Sequence, residues 1–66
     1  MPSSSNIIAN LLTVNELAAY LKISKTSVYR LIEKRQIPFY KVKGGLRFTE
    51  QDVLKYLERN RVEPMV

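Results

Sequence analysis

The chain has 66 residues, of which 45% are hydrophobic and 26% charged, a composition typical of one small folded domain. A domain of this size buries only about 60% of the surface that its unfolded chain exposes, so we expect a small core. The sequence contains no cysteine, no apolar run near the roughly 18 residues of a membrane span, and no secretion signal in "MPSSSNIIAN". We therefore expect a cytoplasmic protein with no disulfide, no thiolate metal site and no membrane partner.

Positive charge is concentrated in the middle of the chain. Between Lys22 and Arg47 there are eight basic residues and one acidic residue, a net +7, whereas the remainder holds three basic and five acidic residues, a net −2. These two parts together give the net charge of +5. A basic segment within a folded domain is typical of a surface that binds a polyanion. From charge alone, the alternative is a solvated face that keeps a small protein soluble.

The first predicted element is a short helix over residues 14–21. Thr13 and Glu16 have the spacing of a capping box, in which each side chain accepts a hydrogen bond from the backbone of the other residue. Leu12 and Leu17 flank this cap as a hydrophobic staple. The apolar residues that follow recur at helical spacing, which supports the helix.

A second helix is predicted after a turn of about three residues. Ser24 is the expected N-cap, and Val28, Leu31 and Ile32 form an apolar stripe at a period of 3.6 residues. Pro38 should end this helix, because the residue before a proline disfavours the helical conformation. Two short helices joined by a short turn, of which the second carries the charge, predict a helix-turn-helix.

The stretch "FYKVKGGLRF" changes to a period of two and predicts a β-hairpin. A two-residue loop of Gly44 and Gly45 would mix basic and apolar side chains on both faces of the hairpin. A three-residue loop over residues 44–46 pairs Lys43 with Arg47, so that one face is basic and the other apolar. We therefore expect the three-residue loop.

The last predicted helix is capped like the first. Thr49 is the expected N-cap, with Asp52 at the third helical position. Val53, Leu54 and Leu57 supply the apolar face, and the helix should fade near residue 60.

Together these elements predict one domain. Its fold class is mainly α with a small β-hairpin, in the order helix, helix, hairpin, helix over residues 11–60, with a helix-turn-helix formed by the first two helices. Residues 1–10, which are polar and rich in serine, are expected to form a flexible N-terminal tail, and residues 61–66 a C-terminal tail.

Four residues of the second helix are candidate DNA contacts. A step of 100° per residue from the buried Val28 places Lys25, Thr26, Tyr29 and Arg30 on the outer face or its flank. Helix-turn-helix proteins contact bases with the early residues of their second helix. An arginine can bind the edge of a guanine, and threonine or tyrosine can bind a base or a phosphate. For Tyr29, partial burial against the hairpin is an equal alternative.

Five residues of the hairpin are further candidates. In the preferred register Lys41, Lys43 and Arg47 share one face, and Gly44 and Gly45 would let the tip approach another backbone closely. The alternative is a charged sheet edge that prevents aggregation between strands.

The segment from Leu12 to Leu57 resembles the excisionase-type DNA-binding domain, a small winged helix-turn-helix related to MerR regulators. The matching stretches are "LTVNELAAYL" for the first helix, "ISKTSVYRLIEK" for the recognition helix, and "IPFYKV" and "RFTEQDVLKYL" on either side of the wing. The resemblance implies that the second helix enters the major groove of DNA and that the wing contacts the backbone or minor groove. It assigns these roles to Lys25, Thr26, Tyr29, Arg30, Lys41, Lys43, Gly44, Gly45 and Arg47.

One departure from the family concerns the end of the second helix. The family often has glycine where Arg35 stands, so we expect either a different helix end or a non-glycine residue in the left-handed conformation. A favourable interaction with the negative end of the helix dipole explains Lys34 and Arg35 more simply than a contact with DNA.

The function that the resemblance implies is sequence-specific binding of double-stranded DNA. The expected role is that of an excisionase, which binds and bends DNA so that a site-specific recombinase runs in the excision direction. A compact MerR-like transcriptional regulator is the alternative within the same class. From another class, a protein-interaction module would dock a recombinase through the third helix or through Ile7 and Ile8.

An enzyme is not expected. The sequence has no histidine, no cysteine and no phosphate-binding loop, and Glu16 and Asp52 are assigned to helix caps. We expect no cofactor and no metal. We also expect a bacterial or mobile-element origin. The free chain should be a monomer, since no dimerisation helix follows Arg61, and should bind adjacent DNA sites cooperatively because one module buries only about 600–1,000 Å² on DNA.

Overall fold

The computed structural model describes residues 10–64, which form three helices and a small antiparallel sheet. The elements are β1 (Leu11–Leu12), α1 (Val14–Leu21), α2 (Lys25–Glu33), β2 (Tyr40–Val42), β3 (Gly45–Thr49) and α3 (Glu50–Arg59). The predicted fold class is confirmed: α1 and α2 form a helix-turn-helix, and β2 and β3 form the wing. Residues 1–9 and 65–66, with the Ile7–Ile8 pair, lie outside the described residues. Within residues 10–64, no helix is long and apolar enough to cross a membrane.

The capping box of α1 is present as predicted. The backbone N–H of Glu16 donates to Thr13 Oγ1 at 3.1 Å, and the N–H of Thr13 donates to Glu16 Oε1 at 2.9 Å. These two bonds satisfy backbone donors that no helical carbonyl can reach. α1 therefore begins at Val14, the residue that the sequence predicted.

A left-handed residue makes the turn between α1 and α2. Lys22 has φ 60°, and the N–H of Ile23 donates to the carbonyl of Ala18 at 3.0 Å, as in a Schellman motif. The next helix, α2, begins only three residues later, and the N–H of Ser27 donates to Ser24 Oγ at 3.1 Å. The predicted N-cap of α2 is thus confirmed.

α2 ends in the same way, earlier than the sequence predicted. Arg35 has φ 56°, and the N–H of Gln36 donates to the carbonyl of Leu31 at 2.9 Å. The expectation that Pro38 ends the helix was wrong, because this left-handed residue closes α2 at Glu33. Arg35 confirms the second of the two outcomes expected for its position, a non-glycine residue in the left-handed conformation.

Phe48 of β3 is the largest fully buried side chain of the described residues, and the core surrounds it. The other buried residues come from every helix and from the connection after α2: Leu17, Ala18, Val28, Ile37 and Val53. Burial stabilises the fold by about 1.5–3 kcal/mol for each of these large apolar side chains.

The apolar face predicted for α3 was wrong in part. Val53 is buried, but Leu54 is 54% exposed and Leu57 is 38% exposed. Tyr56 packs against the core in their place. On a helical wheel Tyr56 lies about 60° from Val53, whereas Leu54 lies about 100° away on the other side. The face of α3 that contacts the core therefore lies on the Tyr56 side of Val53.

The sheet has a third strand that the sequence did not predict. β1 pairs with β3, with Leu11 opposite Thr49 and Leu12 opposite Phe48, and the strand order is β1-β3-β2. β1 covers one edge of the central strand, while β2 pairs with its other edge and forms the wing.

The register of the wing differs from the predicted one. Val42 pairs with Gly45, Lys41 with Leu46 and Tyr40 with Arg47, so the loop contains two residues, Lys43 and Gly44. Both have positive φ, 47° and 80°. Such a pair is typical of the type I′ turn, whose twist matches that of two antiparallel strands. The predicted three-residue loop was therefore wrong.

Candidate nucleic-acid interface

The four candidate residues of α2 share one solvent-exposed surface. Lys25, Thr26, Tyr29 and Arg30 are all exposed, and Val28 behind them is completely buried. Tyr29 is 48% exposed, so about half of its side chain is accessible to a partner. The structure brings this predicted set together, in a helix fixed to the core by Val28.

The start of α2 is more positive than the start of the other helices. The first turn of α1 contains Glu16, and that of α3 contains Glu50 and Asp52, each of which balances the positive end of a helix dipole. The first turn of α2 contains no acidic residue and begins with Lys25. Its free N–H groups and this lysine together favour an anion.

Glu33 lies on the same face of α2, one turn beyond Arg30. Its position is about 140° around the helix axis from Val28, between the directions of Tyr29 and Thr26. It is exposed, and it forms no ion pair within the described part of the chain. A carboxylate here repels phosphate but can accept a hydrogen bond from the amino group of cytosine. The sequence analysis gave this residue no role.

The wing does not form the basic face that the sequence predicted. Tyr40 lies opposite Arg47, and because side chains alternate along a strand, Lys41 points to the other face together with Leu46. The prediction that Lys41, Lys43 and Arg47 share a face was therefore wrong, because it depended on the three-residue loop.

Arg47 folds over the backbone of its own strand. Its Nη1 donates a hydrogen bond to the carbonyl of Leu46 at 2.8 Å. A Cβ atom on Gly45 would lie 2.7 Å from the same Nη1, so only a glycine leaves room for this position of the guanidinium. Arg47 is half-buried, and its guanidinium lies against the backbone of the wing.

Tyr40 and Val42 lie on the same face of the hairpin as Arg47. Neither was predicted from the sequence as a candidate contact. They are 52% and 42% exposed, beside Arg47 and Gly45. The pair Lys43-Gly44 could have indicated this arrangement, because a type I′ turn favours glycine at its second central position. Lys43 occupies the first position at the exposed tip, and a Cβ on Gly44 would meet nothing within 4 Å.

The comparison with protein families agrees with this geometry. The family model of the helix-turn-helix domain matches residues 11–61, which is most of the chain. The chain belongs to the helix-turn-helix domain family. This membership supports DNA binding as the function and DNA as the partner.

One relative of this helix-turn-helix domain is the uncharacterized protein YvgK of Bacillus subtilis (strain 168). The two are 40% identical over 50 residues, which are 76% of this chain and 16% of YvgK. The chain therefore spans only about a sixth of the length of this curated relative. No solved structure matches the chain.

Proposed function

We propose that the protein binds double-stranded DNA in a sequence-specific manner, with α2 in the major groove and the wing on the neighbouring backbone. The observation that carries this proposal is the exposed face of Lys25, Thr26, Tyr29 and Arg30 on the second helix of a helix-turn-helix. Arg30 would bind a guanine edge, and Thr26 or Tyr29 a base or phosphate. The proposed activity is binding without catalysis and without a cofactor.

The wing would add contacts that do not depend on sequence. Lys43 at the tip and Arg47 on the outer face present charges suited to phosphate oxygens. Gly44 carries no side chain that would keep the tip away from a DNA backbone, and the absence of a side chain on Gly45 leaves room for the Arg47 guanidinium. Lys41 lies on the other face and would reach DNA only from the edge of the wing.

The test is selection of bound sequences from a random duplex pool at physiological salt. We expect an enriched motif that binds at least about 10³-fold more tightly than a scrambled duplex of the same length. The Arg30→Ala variant, taken through the same selection, should lose information at one position of the motif. Equal affinity for enriched and scrambled duplexes would contradict sequence-specific binding.

Within this class we propose an excisionase-type role, supported by the resemblance of residues 12–57 to excisionase domains. An excisionase bends its site to assemble a recombinase, so the selected duplex should shorten its end-to-end distance when the protein binds. Energy transfer between dyes on the two ends measures that distance. A straight duplex with a promoter-overlapping site would favour the alternative, a compact MerR-like regulator.

The proposed state of the free chain is a monomer that binds neighbouring sites cooperatively. A single module covers about 600–1,000 Å² of protein surface on DNA, so contacts between neighbours would add useful affinity. Sedimentation should give a mass of one chain, and duplexes with one, two and three copies of the motif should fill with increasing affinity per site. Independent filling of the copies would contradict this proposal.

A further inference from the structure

A groove lies between the end of α2 and the end of α3. Two adjoining hollows of about 380 and 360 Å³ form it, and both are lined by Arg35, Gln36 and Arg59. The first hollow extends over Phe39 and the second over Tyr56. We call this surface the α2–α3 groove. It lies beyond Glu33, the last residue of α2, and is separated from Lys25 by the length of the helix, about 13 Å.

The two arginines of the α2–α3 groove come from the ends of two helices. Arg35 occupies the left-handed residue that ends α2, so its side chain leaves the chain at a turn and not along a helix face. Nη2 of Arg59 donates to the carbonyl of Gln36 at 2.6 Å and ties the last turn of α3 to that same turn. This bond uses one N–H donor of the Arg59 guanidinium and leaves its other donors for a partner.

The charge of the groove is not balanced by the residues that line it. Neither hollow is lined by an aspartate or glutamate. Among the described residues, Arg61 and Glu63 form an ion pair, and neither of them lines the groove. Two guanidinium groups around one concave surface repel each other, so an anion placed between them is favoured.

The groove is also partly apolar, which favours a protein partner over DNA. Ile37 is buried at its base, while Phe39 and Tyr56 are half-buried and pack against the core. A concave surface with aromatic walls accepts an apolar side chain, whereas a DNA backbone is convex and polar and would leave those walls unused. The complementary chemistry is a peptide that carries carboxylates next to an apolar residue.

We propose that the α2–α3 groove binds an acidic segment of a partner protein. Its carboxylates pair with Arg35 and Arg59, and apolar side chains of the segment lie against Phe39 in one hollow and Tyr56 in the other. This inference goes beyond DNA binding and does not depend on it, because none of these residues is a candidate DNA contact.

The test uses fluorescence polarisation of a labelled eight-residue peptide of alternating glutamate and leucine, added to the 66-residue protein. A peptide with glutamine in place of glutamate removes the charge, and an all-glutamate peptide removes the apolar residues. Arg35→Gly removes one guanidinium at a position whose backbone suits glycine, and Arg59→Gln removes the other. Lys55→Gln on α3 is the matched control, because it loses the same charge and does not line the groove.

We expect the glutamate-leucine peptide to bind more tightly than both other peptides, and each arginine variant to weaken it about threefold to tenfold. Lys55→Gln should change its affinity by less than about twofold, and thermal unfolding should show that all three variants are folded. Equal binding of the glutamine peptide, or arginine variants that behave like Lys55→Gln, would overturn the proposal. So would variants that weaken a random DNA duplex as much as the peptide, because the groove would then be a phosphate contact.

Discussion

Tyr40 is paired directly with Arg47 across the wing, so an exposed aromatic ring and a guanidinium bonded to the strand backbone occupy one face of the hairpin. Directly opposed side chains have Cβ atoms only about 4.5–5.5 Å apart, whereas Lys41 lies on the other face. The contact surface proposed for the wing therefore consists of a cation beside an aromatic and an aliphatic side chain. Substitutions on the face of Tyr40 and Arg47 should therefore affect DNA binding differently from substitutions on the face of Lys41.

The first prediction concerns coupling in the wing. Arg47→Ala should weaken binding to every duplex and lower the slope of log affinity against log salt by about 1, because it removes one phosphate contact. In a double-mutant cycle, Arg47→Ala and Tyr40→Ala should couple by at least about 0.5 kcal/mol in DNA affinity. Arg47→Ala and Lys41→Ala should be additive. Coupling of Arg47 with Lys41 and not with Tyr40 would contradict the register.

The second prediction compares the two glycines of the wing. Gly45→Ala should leave the free energy of unfolding unchanged within about 1 kcal/mol, because its new methyl group meets only the flexible end of Arg47. It should nevertheless weaken DNA binding as Arg47→Ala does, because it displaces the guanidinium.

Gly44→Ala is the matched control for this comparison. Its methyl group meets nothing, but φ is 80°, so the substitution should lower the free energy of unfolding by about 1–2 kcal/mol. Denaturant unfolding and DNA titration of both variants measure the two effects. A Gly45→Ala protein with unaltered DNA affinity would show that the position of Arg47 on the strand has no role in binding.

The third prediction concerns specificity at α2. Arg30→Ala should weaken binding to the selected motif by about 1–3 kcal/mol and relax the preference at one base pair. Lys55→Ala, which removes the same charge from α3, should cause only a small and uniform loss. Competition titrations with single-base variants of the motif make the measurement. An equal loss on motif and random duplexes would reassign Arg30 to a phosphate contact.

Local hydrogen bonding explains why the helices could be predicted from the sequence. A cap depends on residues three positions apart, so Thr13, Ser24 and Thr49 identify the helix starts, and each accepts the predicted N–H within 3.1 Å. β1 could not be predicted in this way. It has only two residues, and its partner in β3 lies more than thirty positions away.

The errors in the face predicted for the wing have one cause, which is the position of the turn. The predicted register compared only loops that begin at Gly44, but Lys43 and Gly44 form the turn. A non-glycine residue accepts the left-handed conformation at a modest cost when the pairing of two strands repays it. The candidate contacts on α2 did not depend on this choice, since helical spacing and the burial of Val28 determine which residues face outward.

The fourth prediction concerns the stability of the helix-turn-helix. Lys22 has φ 60°, so Lys22→Gly should raise the free energy of unfolding by about 0.5–1 kcal/mol and the melting temperature by a few degrees. Lys34→Gly is the control, because Lys34 has φ −85° and glycine there brings only its larger backbone entropy in the unfolded chain. Calorimetry of both variants should give shifts of opposite sign. A lower melting temperature for Lys22→Gly would mean that its side chain contributes more than the strain costs.

The fifth prediction concerns the acidic residue on the face of α2 that carries the candidate DNA contacts. Glu33 is exposed beside Arg30, so its carboxylate should repel the phosphates of any duplex and be tolerated only where a base offers it a hydrogen-bond donor. Glu33→Gln should therefore tighten binding to random duplexes by about threefold or more and tighten the selected motif less, so that the specificity ratio falls. Glu58→Gln, an exposed residue of α3, makes the same change of charge and controls for long-range attraction. Titration of motif and random duplexes at two salt concentrations separates the two effects. If both variants tighten motif and random duplexes by the same factor, Glu33 acts only through net charge and does not contribute to specificity.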